Sequence, residues 1–200
     1  MADATDSKSV VRKGVWVRIP PRAPRQCRFR LELRVDDRLM SQDVLDATDE
    51  VDVEVSEFQP GDHDAVRRLI VSGLAEHWGR VDDRLNPDLV DIASTYGHGR
   101  TVVMRRAGAI VATGTIVPRD QSTAEILRMS VAADHRRLGL GRLVVEELVG
   151  TARNWGARVV VLETSTDWSE AVRFDRSCCF TITHDESGSF GDDTWFRRDL

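Results

Sequence analysis

The sequence predicts an α/β domain with a mixed sheet over residues 51–200. Three observations carry this. Runs of strand character alternate with runs of helical spacing, in the order β-α-α-β-β-β-α-β-α-β-β. One strand, Thr123 to Val131, leads into a turn rich in Arg and Gly, Arg136-Arg137-Leu138-Gly139-Leu140-Gly141. That turn opens the most regular amphipathic helix in the chain.

Each element has its own signal. Val51 to Phe58 alternates apolar and acidic residues, as a half-buried strand does. Gln59-Pro60-Gly61 turns the chain and Asp62 caps a helix from about His63, whose stripe is Val66, Leu69, Ile70, Leu74 and Trp78. Asn86-Pro87 starts a short second helix with Leu89, Val90, Ile92 and Ala93 on its apolar side, ended by Gly97 to Gly99. Arg100 to Arg106 and Ala109 to Val117, split by Ala107-Gly108, form a hairpin. Pro118-Arg119-Asp120 turns into the strand 123–131. Leu140, Leu143, Val144, Leu148, Ala152 and Trp155 make one helical stripe, stopped by Gly156. Arg158 to Leu162 is a nearly continuous apolar run, the pattern of a central strand covered on both faces. Asp167 to Ser177 is a short helix, and Cys179 to His184 and Thr194 to Arg198 are closing strands.

Residues 1–50 differ in kind. Gly14 to Pro24 holds three prolines and no strand or helix period. Val17-Arg18-Ile19-Pro20 can be encoded by GTTCGAATCC, a common T-arm sequence of transfer RNA genes. The expectation is that this frame runs through such a gene and that translation starts at Met40, or else that the segment is a disordered basic extension. Ten of the 28 Lys and Arg and five of the 33 Asp and Glu fall in residues 1–39, a charge of +5. Residues 40–200 hold the other 18 basic and 28 acidic residues, a charge of −10, and no lysine. An acidic, Arg-only domain argues against broad nucleic-acid binding and fits a high-salt cytosol or a GC-rich genome. No apolar run reaches membrane-span length, so no membrane partner is expected. The cysteines are Cys27, Cys178 and Cys179, without a C-x-x-C pair, which suits a reducing, cytoplasmic setting. The five histidines show no ligand spacing, so no metal is expected.

The turn 136–142 reads as an anion site. Backbone N–H groups at a helix start lack intrahelical partners and carry positive dipole. Gly139 and Gly141 put no side chain in the way, and Arg136, Arg137 and Arg142 add charge. There is no G-K-[ST], so this is not a Walker loop, and the full dinucleotide fingerprint is absent.

Arg136-x-x-Gly139-x-Gly141 resembles the R/Q-x-x-G-x-G/A signature of the GNAT superfamily, the acetyl-CoA-dependent N-acetyltransferases. Arg128-Met129-Ser130-Val131 is similar to the strand before that loop, and Val160-Val161-Leu162-Glu163-Thr164 to the strand after it. The resemblance spans roughly residues 53–200. It implies a mostly antiparallel mixed sheet, splayed at its centre and covered by helices on both faces. It implies acetyl-CoA as co-substrate, with the pantetheine arm on the backbone of Met129, Ser130 and Val131. The pyrophosphate would lie within Arg136, Arg137, Leu138, Gly139, Leu140, Gly141 and Arg142. The Met129 N–H would polarise the thioester carbonyl, and a primary amine on a small molecule or peptide would attack directly. Dimerisation is common in the family.

Glu125 lies eleven residues before Arg136, the position of the glutamate base in the histone-acetylating branch of the family. Beside an apolar cleft its pKa would rise, as base chemistry wants; the alternative is a strand carboxylate paired with a neighbour such as Arg128. The chain departs from the family at the acid. In Ala171 to Phe180, AVRFDRSCCF, Asp175 replaces the usual Tyr and Cys179 the usual Gly. Ser177, Cys178, water or direct release of thiolate remain as alternatives, and a non-catalytic acyl-CoA-binding domain is the competing function. Trp78, Trp168, Trp195 and the Cys178-Cys179 pair read as packing residues.

Overall fold

The computed structural model describes residues 26–32, 50–188 and 191–200. Its strands are β1 (Gln26–Glu32), β2 (Glu50–Glu57), β3 (Arg100–Arg106), β4 (Ala109–Pro118), β5 (Thr123–Val131), β6 (Val159–Ser165), β7 (Thr181–Gly188) and β8 (Gly191–Asp199). Its helices are α1 (His63–Trp78), α2 (Ile92–Thr95), α3 (Leu140–Asn154) and α4 (Ser169–Ser177). The sheet order is β1-β2-β3-β4-β5-β6-β8-β7. Among the described residues only β5 and β6 pair in parallel; the other neighbours are antiparallel.

Strand β1 falls inside residues 1–50, the segment whose composition predicts a disordered or mis-annotated extension. Its residues QCRFRLE do carry the period-two alternation of a strand, and they pair along β2 from Gln26↔Ser56 to Glu32↔Glu50. The tRNA-like stretch Val17 to Pro20 and the alternative start Met40 lie outside the described residues.

Helices cover both faces of the sheet. On one face α3 buries Leu140, Leu143, Val144, Val145, Leu148 and Val149 against Met104, Ile116, Ala124, Val160 and Phe196. Each such side chain contributes roughly 1.5–3 kcal/mol of apolar burial. On the other face Val66 and Ile70 of α1 meet Leu89, Ile92 and Val103. Gly114 on β4 lets α3 come close: a Cβ there would lie 2.5 Å from Val144 Cγ1 and 3.0 Å from Leu148 Cδ1.

Two expectations change and one is narrowed. The second helix is one turn, α2, preceded by 3-10 turns at Asp83–Leu85 and Pro87–Leu89, and Val90 is 69% exposed. Asp82 and Asp91 accept hydrogen bonds from nearby backbone N–H groups, which favours these short caps over a continuous helix. Strand β6 is covered on both faces at its start, where Val159 and Val160 are both buried, and opens towards its end, where Glu163 is exposed. Trp78 is 48% exposed and sits edge-on to Trp168, with centroids 5.6 Å apart, at the end of α1 and beyond the core.

Candidate active site

The sheet parts where β5 meets β6. Pairing runs through Thr123↔Val159, Ala124↔Val160 and Glu125↔Val161 and then stops. From there β6 follows β8 to Ser165↔Asp193, while β5 follows β4 to Val131↔Ala112. Residues 126–131 and 162–165 therefore face a gap, and among the described residues neither edge has a strand across that gap. Such an edge is a template for an added chain. A bulge sharpens the parting. Between Thr113↔Ser130 and Thr115↔Leu127, Arg128 and Met129 stand opposite Gly114 alone, and Arg128 takes a φ of +52°. Val131 points its carbonyl away from β4, where it accepts from Arg136 Nε at 3.1 Å.

The loop after β5 ends at the mouth of this gap. Arg137 and Gly139 have φ of +63° and +83°, and left-handed residues of this kind turn successive N–H groups into one concavity. The first helical N–H to find a partner is that of Leu143, on the Gly139 carbonyl at 3.1 Å. Among the described residues no group accepts from the N–H groups of 137–142. Leu138 packs on the core and Leu140 is fully buried, which pins the loop from below. Unpaired donors on a left-handed loop at the start of a 15-residue helix fit the diphosphate of an acyl-CoA.

Two details add to the expectation. Gly141 makes room for α4: a Cβ there would come 3.1 Å from Phe174 Cζ. The three arginines divide. Arg136 binds Glu76 of α1 as well as the Val131 carbonyl, and Arg142 donates to the Ser177 carbonyl at 2.9 Å. Arg137 is exposed and has no ion pair among the described residues.

Glu125 sits at the vertex of the gap, on the last β5–β6 pair, and is 8% exposed. Its partner is Arg119, through Nε at 2.9 Å, and not Arg128. Burial pushes its carboxyl above the usual range, while the Arg119 charge pulls the other way and loses. The Arg119 guanidinium also lies 4.8 Å from the centre of the Trp195 ring. Nothing local in the sequence marks Arg119 for this role; it arrives because the β4–β5 turn brings it back over its own strand.

Helix α4 supplies the other titratable groups. Asp175 is 5% exposed, accepts from Thr164 Oγ1 at 2.7 Å, and has its carboxyl pushed up to about 6 by burial. The Cys178 thiol is buried and pushed up to about 11. Ser177 Oγ donates to the Phe174 carbonyl at 2.7 Å. Cys179 has φ of +67°, so the turn after α4 keeps the left-handed geometry of a glycine without having one. Among the described residues no group of three His, Cys, Asp or Glu could hold a metal.

A parted parallel pair, an unpaired strand edge and a donor-lined loop at a helix start define an acyl-CoA-binding transferase fold. A sequence profile of the "Acetyltransferase (GNAT) family" matches residues 64–178, and the chain belongs to that family. Its acetyl donor is accordingly acetyl-CoA. Three solved structures show the same fold. A GNAT-family acetyltransferase from Staphylococcus aureus aligns at TM-score 0.67 and 20% identity, over 74% of this chain and 99% of its own. Ard1 from Thermoplasma volcanium aligns at 0.62 and 25%, over 74% and 97%. A GNAT-family acetyltransferase from Elizabethkingia anophelis, with acetyl-CoA bound, aligns at 0.59 and 15%, over 74% and 98%. A comparison with curated protein sequences found no match. No helix among the described residues is long and apolar enough to cross a membrane.

Proposed function

We propose that this acetyltransferase acts on a primary amine, transferring the acetyl group by direct attack. The observation that carries the proposal is that one strand, β5, holds a buried carboxylate, an unpaired backbone edge and the donor-lined loop in succession. Acetyl-CoA supplies the activated acyl carbon as a thioester. The backbone of Met129, Ser130 and Val131 would hold its pantetheine arm. The N–H groups of Arg137, Leu138, Gly139, Leu140, Gly141 and Arg142 would hold its pyrophosphate, with Arg137 adding charge. Arg136 ties that loop to Val131 and to α1.

Within this proposal the Met129 N–H donates to the carbonyl oxygen, a contact worth roughly 10²–10³ in rate where charge develops there. Glu125 takes the proton from the ammonium form of the acceptor, and its raised pKa improves it as a base. Asp175 is ionised above about pH 6 and Cys178 is buried, so neither is a ready donor at neutral pH. The sulfur leaves as thiolate, which a thiol pKa of about 8.5 permits, and takes up the second proton that the nitrogen sheds as the amide forms. The negative charge of residues 40–200 suits a cationic amine. Free Cys178 and Cys179 accord with a reducing cytoplasm.

The test is an amine panel with acetyl-CoA at low and high salt, spanning amino acids, a polyamine, an aminoglycoside, a peptide N-terminus and a protein lysine. Free thiol and acetylated product are followed together. The expected result is matched release of thiol and N-acetyl product with at least one cationic amine. Acetyl-CoA binding without turnover on any amine would instead favour a non-catalytic acyl-CoA-binding domain.

A further inference from the structure

The residue before Met129 is held in a way the chemistry described so far does not use. Arg128 is a non-glycine residue at φ +52°, in the bulge of β5 against β4 and beyond the last β5–β6 pair. A left-handed backbone at a residue with a Cβ is strained, so it persists only where the surroundings enforce it. The enforcement here is specific. Arg128 Nε and Nη2 bind the two carboxylate oxygens of Asp88 at 2.8 and 2.6 Å. Arg128 Nη1 binds Asn86 Oδ1 at 2.9 Å. Tyr96 donates to Asp88 Oδ2 at 2.6 Å, and its phenol is pushed up to about 12, chiefly by burial. The Arg128 and Asp88 side chains are 23% and 17% exposed, so this is a largely desolvated, two-pronged pair.

Asp88, Asn86 and Tyr96 belong to the segment that packs with α1, on one face of the sheet. Met129 turns to the other face: its side chain packs on the α3 core, where a Cβ on Gly114 would lie 3.1 Å from Met129 Cγ. The peptide unit between residues 128 and 129 carries the Met129 N–H. It is therefore gripped from one face by the Arg128 guanidinium and from the other by the Met129 side chain.

We propose that Arg128, through Asp88, is a positioning residue that holds the Arg128–Met129 peptide so that the Met129 N–H faces the β5–β6 gap. The proposal rests on the role given above to the Met129 amide. Arg128 touches no reacting atom; its clamp sets the direction of the group that does. The pair also fixes residues 86–96 to the strand that carries the amide.

The test uses the full chain and compares acetyl-CoA with CoA, since only the former has a carbonyl for the Met129 N–H. Calorimetry gives the ratio of the two affinities, and ¹⁵N-resolved spectra give the Met129 amide shift on addition of each. Arg128→Gly is the informative variant: glycine takes a positive φ freely, so the bulge is kept while the clamp is removed. Asp88→Asn removes the fork from the other side. In both variants the preference for acetyl-CoA should fall roughly fivefold, the size of one net hydrogen bond. The Met129 shift specific to acetyl-CoA should be lost, and CoA affinity should stay within about twofold on the same scale. Arg128→Gly with the preference and the shift of the unmodified protein would overturn the proposal, as would loss of the fold in both variants, which would make the pair a structural anchor. Failure of the underlying assignment looks different: the Met129 amide of the unmodified protein would then give the same response to acetyl-CoA and CoA.

Discussion

The loop after β5 and helix α4 sit on either side of one gap, and they are built from different materials. The loop is a backbone device: left-handed turns at Arg137 and Gly139, unpaired N–H groups and a helix start. Helix α4 is a side-chain device: Asp175 under Thr164, Cys178 in the core, and Phe174 against Gly141. A backbone device keeps its function under any sequence that preserves the turn. A side-chain device changes its chemistry with a single substitution, and here a carboxyl stands where the family has a phenol. On the proposed reading the backbone loop grips the acetyl donor, and the side chains of α4 are where this chain departs from the pattern it resembles.

The sharpest way to break that contrast is at the vertex. Glu125→Gln should lower kcat/KM by roughly 10²–10⁴, the usual worth of a positioned base. The unsubstituted enzyme should gain activity as pH rises through a Glu125 pKa above the ordinary carboxylate range, since only the carboxylate accepts the proton. The variant should lack that limb. Arg119→Gln should move the limb to higher pH, because Arg119 is the charge that holds the Glu125 carboxyl down. Full kcat/KM in Glu125→Gln across pH would remove the base from the account.

Next in size is Asp175. Its folded pKa of about 6 lies above its ordinary 3.8, so the folded state holds that proton more tightly than the unfolded chain does. The stability this gives is fully present below pH 3.8 and is lost as pH rises to about 6. Asp175→Asn should then stabilise the fold at pH 8 by about 2 kcal/mol and much less at pH 4, read from urea midpoints. Equal effects at the two pH values would mean that Asp175 is not a buried, reluctantly ionised group.

The smallest effect belongs to the turn after α4. Cys179 is left-handed at φ +67°, so Cys179→Gly should raise stability by about 0.5–1 kcal/mol, the relief of Cβ strain less the added freedom of the unfolded chain. A loss of melting temperature would show that the Cys179 side chain contributes more than its strain costs.

The same contrast explains what the sequence discloses. The α3 stripe, the β5 pattern and the Arg136–Gly141 turn are local, and each lies where periodicity and spacing place it. The partners that give the site its character are distant. Arg128 meets Asp88 forty residues away, and Arg136 meets Glu76 sixty residues away. No periodicity carries such pairings, so the sequence shows the Arg136 charge and only the fold adds Glu76 beside it. Gly141 reads as clearance for a ligand because its other neighbour, Phe174, comes from another helix. Exposure misleads in the same way: Trp78 continues an apolar stripe, but α1 outruns the core before reaching it.

The claim that the donor is held by backbone N–H groups is tested most directly at Gly139, by calorimetric titration of acetyl-CoA. Asn and Asp both tolerate the left-handed φ of +83° and have nearly the same shape, so Gly139→Asn and Gly139→Asp differ in charge alone. The account predicts measurable binding to the unmodified protein and to Gly139→Asn, and none to Gly139→Asp, whose carboxylate would stand among the donors meant for the pyrophosphate. Binding to Gly139→Asp with the affinity of the unmodified protein would contradict it.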